Sequence, residues 1–193
     1  MSKALAEGGV TAAEITFTVP NAVEVIRQVR RVVGDAIVLG AGTVLDPETA
    51  RTAMLAGAEY IVSPIVNLEV IRLCRRYDTV VMPGAFTPTE VLTAWETGVD
   101  VVKVFPADVG GPAFLRALRG PLPQVRLMPT GGVDLTTAEG LPQGGRLLPG
   151  DRRGARGTQG DRHRRLHPHS RACLPVCGDR RPSSRDPVIS YLS

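Results

Sequence analysis

Six short apolar runs, spread evenly between residues 12 and 132, constrain this chain more than any other feature. They are AAEITFT (12–18), AIVLGAGT (36–43), YIVSP (60–64), TVVMPGA (79–85), DVVKVFPA (100–107) and VRLMPTGG (125–132). Between them lie stretches with helical spacing. In the first, Ala22, Val25, Ile26, Val29, Val32 and Val33 share one face. Asp46-Pro47 places a capping acid before a first-turn proline, and Thr87-Pro88-Thr89-Glu90 fits a capping box. Gly57, Gly98 and Gly120 stand where periodic runs stop. Strands alternating with helices mean βα units on a parallel sheet, and the lack of polar alternation in the strands means both faces are covered.

Two architectures satisfy that pattern, a doubly wound open sheet and a closed (β/α)8 barrel. An open sheet concentrates its site at one switch point, whereas the strands of a barrel converge on one mouth. Here polar or special residues gather at the end of every run: Glu14, Thr16 and Thr18; Gly40, Gly42 and Thr43; Ser63 and Pro64; Pro83 and Gly84; Lys103; Thr130, Gly131 and Gly132. That distribution favours the barrel. No G-x-G-x-x-G follows the first run, so nothing points to a dinucleotide.

Lys103 is the sharpest chemical signal. The chain has 21 arginines but only two lysines, Lys3 and Lys103. Lys103 is flanked by Val101, Val102, Val104 and Phe105. One reading is a lysine snorkelling from a strand edge or neutralised by an acid. The other is a desolvated amine, whose neutral form attacks carbonyl carbon to give a Schiff base. Arginine cannot replace it in that role, because guanidinium stays protonated. Glu14, in an equally apolar run, is either half of a structural ion pair or a general acid/base for such an imine. The PTGG turn (129–132) is either a simple tight turn or a place where backbone approaches an anion closely.

Composition removes several classes. No apolar run approaches the roughly 20 residues that span a bilayer, and the first ten residues lack a signal-peptide core. The expectation is a cytoplasmic protein without a membrane partner. Three cysteines do not make a disulfide framework. Residues 1–140 carry 12 Lys and Arg against 15 Asp and Glu, net −3, whereas residues 141–193 carry 11 Arg against 4 Asp, net +7. The chain therefore divides near residue 140 into a barrel domain (1–140) and an Arg/Pro-rich tail (141–193).

The segments EITFTVPNA, GAGTVLDPE, GAEYIVSP, MPGAFTPTE, KVFPADVGGP and PTGGV, in that order, resemble the bacterial 2-keto-3-deoxy-6-phosphogluconate (KDPG) aldolases, a family that includes 4-hydroxy-2-oxoglutarate (KHG) aldolase activity. The resemblance covers about residues 3–139. It implies a (β/α)8 TIM barrel, a homotrimer and a class I aldolase working without metal or other cofactor on a pyruvate-containing sugar acid phosphate. It implies Lys103 as the Schiff-base amine and Glu14 as the proton relay. Thr43 and Pro64 match positions lining the pyruvate pocket, and Phe105 matches an aromatic beside the lysine. Thr130, Gly131 and Gly132 match the region that meets substrate hydroxyls and phosphate. Many members carry arginine four residues after the glutamate, to hold the substrate carboxylate; Thr18 stands there, which bears on substrate preference more than on mechanism.

On the same resemblance, the runs correspond to barrel strands 2 to 7, with strands 1 and 8 missing and strands 2 and 7 left as open edges. The tail has 11 Arg, 6 Pro and all three histidines without sustained periodicity. It reads as disordered, or as an out-of-frame translation. Its His163, His167, His169, Cys173 and Cys177 do not have a recognised zinc spacing, and it lacks aromatic interleaving for nucleic acid apart from Tyr191. The competing functions are an inactive remnant of the aldolase and, less favoured, a basic-tail nucleic-acid-binding module.

Overall fold

A computed structural model describes residues 10–132 and 189–192. The expected boundary near residue 140, Lys3 and the histidines and other cysteines of the tail lie outside the described residues. Each of the six apolar runs forms a strand position. β1 is Ala12–Thr16, β2 Val38–Gly42, β3 Tyr60–Val62, β4 Val80–Met82, β5 Gly84–Ala85, β6 Val102–Val104 and β7 Leu127–Pro129. Five helices alternate with them: α1 (Ala22–Val33), α2 (Pro47–Ala56), α3 (Leu68–Arg76), α4 (Pro88–Glu96) and α5 (Ala107–Arg119). All strand pairs are parallel. Among the described residues no helix is long and apolar enough to cross a membrane.

β4 and β5 belong to one run, interrupted at Pro83. β4 pairs with β3 on one side, and β5 pairs with β6 on the other. Proline has no N–H for the ladder, but its carbonyl accepts from the Lys103 N–H at 2.9 Å. The run thereby passes from one neighbour to the next. The sheet consists of two pieces, β4-β3-β2-β1-β8 and β5-β6-β7.

β8 (Ile189–Leu192) corrects one expectation. The edge beside β1 was expected to be open. Instead Ile189 to Leu192 pairs in register with Ala12 to Ile15. An unpaired edge offers a row of N–H and C=O groups as a template. The ISYL segment, rich in β-branched and aromatic residues, suits that role.

Period-2 alternation divides the strand residues between two apolar clusters. Ala13, Ile15, Leu39, Ala41, Ile61, Val81, Val102, Val104 and Leu127 pack outward with the helices. Tyr60, Val62 and Met82 pack inward with Val38, Val80, Val101 and Met128. This partition also turns Glu14, Gly40, Gly42, Gly84 and Lys103 inward.

The helix signals behave as the sequence indicates. Asp46 accepts from the Thr49 N–H at 2.6 Å, and Thr87 and Glu90 form a reciprocal capping box. Gly57 ends α2 in the left-handed region at φ 111°. Gly120, by contrast, ends α5 with right-handed angles. In α1, Ala22, Ile26 and Val33 are buried, but Val32 is 51% exposed. At about 100° per residue, Val32 falls on the rim of the apolar stripe rather than its centre.

Gly84 locks the end of β3 to β5. A Cβ there would lie 2.4 Å from the Pro64 carbonyl carbon and 2.7 Å from the Ser63 oxygen, both backbone atoms that cannot swing aside. Gly84→Ala is expected to lower unfolding free energy by about 1–3 kcal/mol, measured by urea denaturation; an unchanged midpoint would contradict this packing.

Candidate active site

Because every strand runs in the same direction, their C-terminal ends form one rim. Thr16 ends β1, Thr43 follows β2, Ser63 and Pro64 follow β3, Phe105 follows β6, and Thr130 follows β7. Inside this rim lie two ionisable side chains, Glu14 at 3% exposure and Lys103 at 8%. Residues of their types are almost never buried without compensation.

The compensation is mutual. Burial pushes the Glu14 carboxyl up from 4.5 to about 7, and the Lys103 ammonium pulls it partly back. Burial pushes the Lys103 amine below its ordinary value, and Glu14 partly restores it. They act on each other through space, with no direct ion pair between them among the described residues. The result is an amine with an enlarged neutral fraction beside a carboxyl that exchanges its proton near neutrality.

Glycines make room for both groups. Gly42 stands opposite Thr16 in register, and a Cβ on it would lie 1.7 Å from Glu14 Oε1. The carboxylate therefore rests directly on the Gly42 backbone. Gly84 stands opposite Lys103, so the neighbouring strand sends no side chain into the space beside the amine. Phe105 presents its ring 4.9 Å from Lys103 Nζ. A cation over an aromatic face is attracted to it, and the same ring limits water around the neutral amine.

Thr130 is buried, and its Oγ1 has no hydrogen-bond partner among the described residues. A buried hydroxyl without a partner costs free energy unless something arrives to use it. Its backbone is tightly held: the Thr130 N–H donates to Val104 O at 3.0 Å, and its carbonyl accepts from the Ala107 N–H at 2.8 Å. Gly131 and Gly132 follow with φ of 86° and 67°. Gly131 closes on the Phe105 ring and Gly132 on the Asp108 side chain. The first turn of α5 is thus pinned against the loop after β7.

Thr43 is half-buried and left-handed, with φ 56°. For a β-branched residue this carries strain of about 1–3 kcal/mol, the kind retained where a backbone direction is needed. Pro64 is half-buried on the same rim. Thr18 is exposed, and its hydroxyl engages Thr16 at 2.7 Å. Glu14, Lys103, Phe105, Thr130 and Gly131 are therefore set at the interior of the mouth, while Thr18 stands at its outer rim. Cys74 offers no rival nucleophile, because burial pushes its thiol up to about 11.

Sequence reasoning missed Tyr60. It is 1% exposed inside the barrel, and its hydroxyl donates to Ala13 O at 2.9 Å. The available signal was a polar aromatic opening the YIVSP run, across from a glycine-bearing strand.

Comparison with known proteins gives this arrangement a lineage. The family model for KDPG and KHG aldolase matches residues 1–141. A 2-dehydro-3-deoxy-phosphogluconate aldolase of Treponema pallidum is 42% identical over 136 residues, covering 70% of this chain and 64% of that protein. Its namesake in Pseudomonas aeruginosa is 41% identical over 136 residues, covering 70% of this chain and 61% of the relative. The match thus spans less than two thirds of either relative's length. The crystal structure of a KDPG aldolase from Legionella pneumophila, with pyruvate captured as a covalent carbinolamine intermediate, superimposes with a TM-score of 0.68 at 30% identity, covering 72% of this chain and 67% of that one. With an inward lysine and glutamate at the mouth of parallel βα units, and with these matches, the chain belongs to the KDPG and KHG aldolase family.

Proposed function

We propose that this chain is a class I aldolase that cleaves 2-keto-3-deoxy-6-phosphogluconate to pyruvate and glyceraldehyde 3-phosphate, and 4-hydroxy-2-oxoglutarate to pyruvate and glyoxylate. The observation that carries the reading is the buried Lys103 amine facing Glu14 inside the mouth. The carbinolamine in the Legionella relative supports it, since that species is what an amine forms on the ketone of pyruvate.

In this mechanism the neutral Lys103 Nζ attacks the C2 ketone and forms a carbinolamine, which loses water to give an iminium. Glu14, as carboxylate, takes the proton of the C4 hydroxyl, directly or through a water. The C3–C4 bond breaks, its electron pair passes into the iminium to form an enamine, and the aldehyde departs. Glu14 returns the proton to C3, and water hydrolyses the resulting imine to release pyruvate. A carboxyl that titrates near 7 can perform both transfers at neutral pH. Phe105 shields the amine. Thr43 and Pro64 would border the pyruvate moiety. Thr130 Oγ1, without a partner among the described residues, would bond a substrate hydroxyl, and the Gly131-Gly132 backbone would meet the phosphate. Thr18, with no positive charge to offer, would contact the substrate only through hydrogen bonds at the rim. A homotrimer and a cytoplasmic location belong to the same reading, carried over from the family resemblance.

Borohydride reduction in the presence of pyruvate is expected to leave a stable adduct on Lys103, located by peptide mass spectrometry, and none on Lys3. Folded protein with Lys103 unmodified would overturn the proposal. Exchange of the pyruvate methyl protons with D2O requires Glu14 as the free base, so its rate is expected to rise as pH increases through about 7. In Glu14→Gln that limb is expected to vanish and the rate to fall about 10²–10⁴-fold, followed by proton NMR.

A further inference from the structure

β2 presents two inward glycines, Gly40 and Gly42, and each is covered by a side chain from a different neighbour. Glu14 of β1 lies over Gly42. Tyr60 of β3 lies over Gly40, where a Cβ would sit 2.1 Å from ring atoms Cε2 and Cζ. The two glycines are one strand repeat apart, about 7 Å, on the same face. Gly40 also pairs in register with both Glu14 and Tyr60. The Tyr60 ring therefore crosses the whole width of β2, and its hydroxyl reaches β1 to donate to Ala13 O at 2.9 Å. Ala13 is the residue immediately before Glu14.

We propose that Tyr60 is a positioning residue for Glu14: its ring forms the dry floor beneath the carboxylate, and its hydroxyl holds the peptide from which Glu14 projects. The proposal rests on the aldolase reading for its consequence in catalysis, but not for its physical content. Three features make it specific. Any side chain at Gly40 would block the path of the ring. The hydrogen bond is buried, so water cannot substitute for it without opening the floor. And the ring belongs to the inner cluster with Val62 and Met82, which keeps it from swinging away. Lys103 is the charged group that acts on Glu14 from across the mouth. Tyr60 would set how far the carboxylate is screened from solvent while Lys103 sets its charge partner.

The test uses the full chain with ¹³C-labelled glutamate, the Glu14 resonance being assigned by its absence in Glu14→Gln. In Tyr60→Phe the carboxyl is expected to titrate at least half a unit lower than in the parent, toward the ordinary carboxylate range, because a freed peptide lets water reach it. Tyr60→Leu, which removes the hydroxyl and shortens the floor, is expected to move it further. Deuterium exchange into pyruvate by Tyr60→Phe is expected to fall about tenfold in kcat, with KM within twofold. An unchanged Glu14 titration in both variants would overturn the proposal, whatever happens to the melting temperature. If the parent exchanges no deuterium, the aldolase reading fails, while the carboxyl titration still decides the role of Tyr60.

Discussion

Two side chains of opposite charge share one dry space, and the rest of the structure is arranged around that fact. Water would stabilise both charges; the barrel mouth withholds it. Each group is pushed toward its neutral form by burial and pulled back by the other's charge. A stronger pairing would leave the amine protonated and unreactive. A weaker one would leave the carboxyl without a partner to temper its desolvation. A through-space interaction without a direct ion pair lies between these limits: it leaves the Glu14 carboxyl near 7 and the Lys103 amine below its ordinary value.

The backbone provides that space by omission. Gly40, Gly42 and Gly84 all face inward, and each is a position where a neighbour occupies the volume a side chain would take: the Tyr60 ring, the Glu14 carboxylate and the Ser63-Pro64 backbone. The apolar inner cluster of Tyr60, Val62 and Met82 lines the interior beside them. Outside the strands, the larger cluster joins them to the helices and keeps the strand ends in place. Loop chemistry then adds the thin polar layer above, including the Thr130 hydroxyl, which has no hydrogen-bond partner among the described residues, and the strained Thr43 backbone.

Much of this was legible in the sequence because it depends on local rules. Strand positions followed from apolar runs bounded by helix caps, and the Asp46 and Thr87 caps formed as their spacing required. Lys103 and Glu14 stood out because each is a charge in a run with no other polar reason to exist. What escaped depends on contacts between segments far apart in the chain. The reach of Tyr60 to Ala13 needs β2 to be bare of side chains between them, which only the register reveals. The division of the fourth run at Pro83 depends on which neighbour each half meets. β8 was missed because its four residues carry no periodic signal and their pairing is dictated by the β1 edge. Val32 was misjudged for a simpler reason, since a helical stripe has a rim and a six-residue list does not show it.

That burial rather than pairing governs the Lys103 amine is tested most directly by titrating its ¹³Cε resonance. Lys103 is expected to titrate below the ordinary lysine value, and Glu14→Gln to lower it further by removing the carboxylate that holds it up. Titration of Lys103 at the ordinary value, unaffected by Glu14→Gln, would contradict this.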